Sequence, residues 1–203
     1  MKNTKIDTET QNIGRSKLIL GIYIVFSCAM FFFCIALGYW TAQADPAVGD
    51  QIYAMFQEVI VTSITSDSAA IMSFQIFINN LQICALIFLG GATLGLVTLF
   101  FFMTNGVVIG ILIEVLLREM SASALLLYVL PHGIFEIPSV IVSAALGMMV
   151  ARGLWDELIG KGNALDSAQY AGRLFIMYVV PFIFIAACIE GYITPLVVEM
   201  MST

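Results

Sequence analysis

Long stretches of this chain are apolar without interruption, and the polar residues fall in a few short clusters between them. From Leu18 to Ala44 there is no charged residue, and a bilayer core about 30 Å thick needs about 20 apolar helical residues to cross it. Leu18–Tyr39 is therefore predicted to span, with Tyr39 and Trp40 at the interface. Ala42-Gln43-Ala44 mimics a signal-peptidase site, but the apolar run before it far exceeds the roughly 7–15 residues of a signal peptide core. The segment is expected to stay as an anchor. Between Asp45 and Gln75 the pattern changes to Asp45, Asp50, Glu58 and Asp67, with Pro46 and several Ser and Thr. Ile52, Met55, Phe56 and Val59 recur there at helical spacing, which predicts a short amphipathic helix along the membrane surface.

A second span is predicted over roughly Phe77–Met103, with Asn105-Gly106 as a tight turn into a third segment, Val107–Leu117. Arg118-Glu119 and two serines interrupt it. The nine residues Ala122–Leu130 are too short to cross alone, and Pro131-His132-Gly133 follows them. They read best as a half-helix that dips in and turns back at Pro131 and Gly133, with Pro138 close behind. A single third span over Val107–Leu130 is the alternative, and it would bury Arg118 and Glu119 as a pair near mid-membrane. Ile134–Ala151 and Leu174–Val198 complete the set. The expected fold is all-α: a polytopic transmembrane bundle of about five spans with one broken or re-entrant helix.

Composition agrees with that class. Apolar types make up 61% of the 203 residues and charged types only 11%, whereas a soluble domain is about half apolar and about a quarter charged. Soluble-enzyme classes drop out on that ground. Eight Lys and Arg against fourteen Asp and Glu leave no basic patch for nucleic acid. Cys28, Cys34, Cys84 and Cys188 lie inside apolar runs without CxxC spacing and read as packed thiols rather than a disulfide or zinc framework.

Seven of the eight basic residues fall within 2–17 and 152–173. Cytoplasmic loops collect Lys and Arg, so an N-terminal tail (1–17) and a loop (152–173) are assigned to the cytoplasm. Residues 18–203 form one transmembrane domain, within which the acidic 45–75 segment lies outside. The expected location is the cytoplasmic membrane, multi-pass, with the N-terminus inside.

Gly91 with Gly95, and Gly106 with Gly110, have G-x-x-x-G spacing, and Gly147 stands four residues from both Ser143 and Ala151. Small residues four apart let helices approach closely in lipid, within one bundle or across a homodimer. Ionisable groups inside spans usually face a bundle interior or cavity. Here they are Glu114, Glu136, Glu190 and the single histidine, His132, with Asn79, Asn80 and Asn105 as amides. His132 and Glu136 are four apart, so in a helical segment they share a face. Asn80, His132, Glu136 and Glu190 should fall at similar outer depth and form a candidate polar or ion site. One histidine and one carboxylate at H-x-x-x-E spacing fall short of a zinc site, and neither a metal nor a cofactor is expected. Ser121, Ser123 and Ser139 offer no nucleophile–base arrangement, so no catalytic residue is assigned.

Pro131-His132-Gly133-Ile134-Phe135-Glu136-Ile137-Pro138, followed by Ala144-Ala145-Leu146-Gly147, resembles the signature of the stage II sporulation protein M family. Asn79-Asn80, Gly90-Gly91 with Gly95, Asn105-Gly106 with Gly110, and Glu190-Gly191-Tyr192 before Pro195 fit the same pattern, over roughly residues 18–200. The resemblance implies about five spans and no catalytic activity. It also implies a role as membrane scaffold for the peptidoglycan-remodelling proteins of spore engulfment, although the family extends to bacteria and archaea that make no spores. Two functions follow as expectations. One is a non-enzymatic scaffold whose partners are membrane lipid and peptidoglycan-remodelling proteins. The other is a small channel or transporter-like protein with a cation or proton site.

Overall fold

In hydrocarbon a helix satisfies its own backbone N–H and C=O groups, and irregular backbone does not. That constraint shapes the computed structural model of this chain, which describes residues 2–63 and 68–194. Helix α1 runs Lys2–Ala44, α2 Pro46–Ser63, α3 Ala69–Leu89, α4 Leu96–Glu119, α5 Ala122–Leu158, α6 Ala164–Leu174 and α7 Val180–Tyr192. There is no strand among the described residues. Five helical stretches are long and apolar enough to cross a membrane: Ser16–Ala44, Ala69–Thr93, Leu96–Glu119, Val129–Leu158 and Ala164–Tyr192. The last joins α6 to α7 through a π-helical turn, Phe175–Val179. Pro181, just beyond, has no N–H to give to Met177, and widening the turn accommodates the missing bond.

Paired side chains fix the directions. Phe31 of α1 stacks on Phe102 of α4 at 5.3 Å, and further along Ala42 meets Arg118, so α1 and α4 run parallel. Cys84 lies beside Ser143 and Ile87 beside Gly147, so α3 and α5 are also parallel. Helix α7 opposes α3: Phe77 meets Phe184 at 5.6 Å, and Gly191 rests on Ser73 and Ala69. Helix α5 is the most buried of the five spans. Its Ser139, Ser143, Ala144, Ala145 and Leu146 are enclosed, because small side chains let neighbours close in around it. This order gathers Lys17, Arg152, Lys161 and Arg173 at one end of the bundle, the basic end. Asp45, Asp50 and Glu119 gather at the other, the acidic end.

Several expectations are corrected. The turn between the second and third spans is Gly90–Gly95, not Asn105-Gly106. A 3-10 turn over Gly90–Thr93 leads to Leu94 and Gly95, both left-handed, Gly95 with φ of 86°. The hydroxyl of Thr98 donates to the Ile87 carbonyl at 2.8 Å and closes the hairpin. Gly91 and Gly95 thus belong to a turn rather than to one helix face. Gly91 still packs tightly, since a methyl there would strike the Gly147 carbonyl. Asn105 and Gly106 lie inside α4, where Gly106 faces Phe31 and Cys34, and Gly110 faces Ile35 and Tyr39. These glycines seat α1 on α4 within the chain.

The re-entrant half-helix is also overturned. Ala122–Leu130 forms the first turns of α5, capped by Ser121, whose Oγ accepts from the Ala124 N–H at 3.3 Å. Pro131 and Pro138 sit inside that continuous helix, and Gly133 does not break it. Each proline removes a single ladder bond, whereas ending the helix would orphan several N–H and C=O groups at each new terminus. Continuity wins. The alternative long span is excluded as well, because α4 ends at Glu119. The surface helix predicted from the 45–75 pattern is α2. It packs through Ile52 and Tyr53, while Met55 and Phe56 are exposed. Pro195 and the end of the predicted last span lie outside the described residues.

Candidate functional site

Two polar assemblies stand at the acidic end, and different helices build each. The first is centred on Arg118, in the last turn of α4. Its Nε donates to Glu114 Oε1 at 3.0 Å, and Nη2 pairs with the other oxygen of the same carboxylate. Nη1 lies 3.1 Å from Asp50 of α2, and Nη2 donates to the Ala42 carbonyl of α1 at 3.2 Å. One guanidinium thereby ties the ends of three helices, using its planar fork of donors. Gly49 makes the approach possible, lying against Val115, Arg118 and Ala42. The spacing of Glu114 and Arg118, one turn apart, was a readable signal. Asp50 was not, because it is distant in sequence.

The second assembly is His132, Glu136 and Glu190. One potential ligand atom from each lies within 4.8 Å of the others, and all three residues are partly buried. His132 and Glu136 come from successive turns of α5, and Glu190 from α7, which runs against it. Glu136 follows the apolar opening of α5, Ala122–Leu130, on the same helix. Glu190 is two residues from the end of α7. The cluster therefore lies in the half of the bundle nearer the acidic end.

Asn80 occupies the buried face of α3 with Ser73, Ile76, Cys84 and Ile87. One turn away, Cys84 neighbours Ser143 and lies within electrostatic reach of Glu136. Asn80 shares that buried face of α3, and its side chain meets that of Asn79 at 3.5 Å, while the close group is His132, Glu136 and Glu190. Gln75 Oε1 on α3 and Thr194 Oγ1, one turn beyond Glu190, are buried oxygens with no hydrogen-bond partner among the described residues. Both belong to the acidic end, and sequence reasoning passed over both. Their signal was polarity inside an otherwise apolar run.

The charge balance is unusual for a membrane interior. Glu136 and Glu190 face each other, and among the described residues no Lys or Arg pairs with either. Arg118 is committed to Glu114 and Asp50, and Arg152 to Asp156 at 3.5 Å. Two carboxylates beside an imidazole can share protons or hold a cation.

The family model for stage II sporulation protein M matches residues 27–195. An uncharacterized protein of Methanocaldococcus jannaschii is 28% identical over 200 residues, covering 93% of this chain and 86% of its own. A second uncharacterized protein of that organism is 31% identical over 132 residues, or 63% of this chain and 74% of its own. No solved structure is significantly similar to the chain.

Proposed function

This chain belongs to the stage II sporulation protein M family, and on that premise we propose that it is a non-enzymatic membrane scaffold for an envelope-remodelling complex. The observation that carries the reading is the fixing of α2 on the bundle by Arg118. A surface helix held to the bundle through Asp50 and packed on it through Ile52 and Tyr53 presents a set face, with Met55 and Phe56 outward. Preorganisation of this kind lowers the ordering cost of binding. The N-terminus and the basic end are assigned to the cytoplasm, so that α2 faces outward, where peptidoglycan-remodelling partners work.

The test is a crosslinked pull-down of the tagged protein from native membranes, beside a variant carrying Met55→Glu and Phe56→Glu at equal abundance. Near-stoichiometric recovery of envelope-remodelling proteins by the wild type alone supports the reading. Equal recovery by both, or recovery of only the protein itself, removes it.

A second reading, a small channel or transporter-like protein, is favoured by the convergence of His132, Glu136 and Glu190 inside the span region. Cation flux into proteoliposomes that is abolished by Glu190→Gln supports it, and flux indifferent to that change removes it.

A further inference from the structure

We propose that His132, Glu136 and Glu190 form a binding site for one divalent transition-metal ion of the zinc, iron or manganese class. The ion would bridge α5 and α7. This deepens the second reading above by naming the ion, and it is independent of the scaffold.

The donor set is the first argument. An imidazole and two carboxylates suit first-row transition ions, whereas calcium prefers six to eight oxygens and magnesium keeps several waters. Two carboxylates also balance the charge of a divalent ion, so the loaded site is a neutral unit. Carboxylate and imidazole ligands projecting from facing helices are a recurring way for bundles to hold metals.

Geometry is the second. Donors around such an ion at about 2.0–2.2 Å stand roughly 3–3.5 Å from one another. The three atoms here lie within 4.8 Å, so they need to draw together by about an ångström, which rotation about Glu side-chain torsions allows. Two donors come from successive turns of one helix and the third from its neighbour, so the ion's position is fixed by helix packing rather than by a loop. Three protein ligands leave coordination positions open for water or a further oxygen. Asn80 is buried on α3, and the unpartnered oxygens of Gln75 and Thr194 stand at the acidic end.

The test uses the full chain, free of any affinity tag, purified in detergent, stripped with EDTA and then equilibrated with Zn²⁺. One zinc per chain is expected by elemental analysis. Co²⁺ in its place should give visible d–d absorption that Zn²⁺ abolishes. Glu136→Gln and Glu190→Gln should each weaken Zn²⁺ binding by at least about 100-fold, since even outer-shell changes cost roughly 10- to 100-fold. Asn79→Ala, on the exposed side of α3, should bind as the wild type does. X-ray absorption at the zinc edge of the wild type is a reading that no variant's folding can disturb, and it should report one imidazole nitrogen among oxygens. A folded wild type that retains less than one zinc per chain overturns the proposal, as does an edge spectrum without imidazole. So does unchanged affinity in both glutamine variants, and the cluster is then a proton-sharing network. Binding without flux keeps the site and removes the transport reading.

Discussion

Arg118 Nη1 of α4 lies 3.1 Å from Asp50 Oδ1 of α2, an ion pair that joins two helices at the acidic end. Asp50 is largely exposed, with 68% of its side chain in contact with solvent, whereas Glu114, the other carboxylate on Arg118, is 11% exposed. Exposed pairs contribute little, and breaking a buried pair leaves an uncompensated charge. Asp50→Ala is therefore expected to loosen α2 locally, and Glu114→Ala to destabilise the acidic end as a whole. Hydrogen exchange separates the two: faster exchange confined to 46–63 in the first variant, and spreading into the ends of α1 and α4 in the second.

Gly91 and Gly147 touch so closely that a methyl on Gly91 would meet the Gly147 carbonyl, and one on Gly147 would lie 2.8 Å from the Ile87 carbonyl. Gly91→Ala and Gly147→Ala are each expected to lower stability by about 1–3 kcal/mol or more through overpacking. Gly21 and Gly172 have open space at the same position. There Gly→Ala should be neutral or stabilising, by about 0.5–1 kcal/mol within a helix. Thermal unfolding of the four variants in detergent checks the contrast.

Pro131 and Pro138 interrupt the hydrogen-bond ladder of a helix that continues past them. Pro131→Ala and Pro138→Ala should leave α5 helical and raise the melting temperature, with a gain of up to about 3 kcal/mol each. A fall in stability would mean that the local geometry at each proline holds the His132 and Glu136 side chains in place.

If zinc binds the folded protein alone, it must stabilise the fold by mass action. At a free concentration about 100 times the Kd the gain is about 2.7 kcal/mol. The wild type should melt at a higher temperature with zinc than with EDTA. Glu190→Gln should melt at the same temperature in both, and without metal it should be at least as stable as the wild type, because it removes one of two facing carboxylates.

Sidedness is checked by labelling. Ser121→Cys lies between α4 and α5 at the acidic end, and Asn163→Cys precedes α6 at the basic end. A membrane-impermeant thiol reagent applied to intact cells should reach the first and spare the second until the membrane is opened. The reverse pattern would invert the orientation assigned above.

Much of this architecture could be read along the chain, because span length and hydropathy are local quantities. Leu18–Tyr39 lies within α1, and the pattern after Pro46 became α2. The turns could not be read in the same way. Gly90–Gly95 and Asn105-Gly106 both carry turn-forming residues, and only contact with Phe31 and Cys34 makes Gly106 a packing residue rather than a corner. Pro131-His132-Gly133 misled for a related reason. Proline and glycine signal a break by local propensity, but in hydrocarbon the cost of orphaned backbone groups keeps the helix going.

The polar site divides along the same line. Sequence alone put His132 and Glu136 four residues apart, a spacing that shares one face only where the chain stays helical through Gly133, as the continuous α5 makes it, and it put Glu190 in the outer part of the last span. Which carboxylate meets which imidazole depended on α5 and α7 lying antiparallel in contact, and on Arg118 being occupied elsewhere by Glu114 and Asp50. Those are relations between segments far apart in the chain. Only side-chain packing in three dimensions sets them.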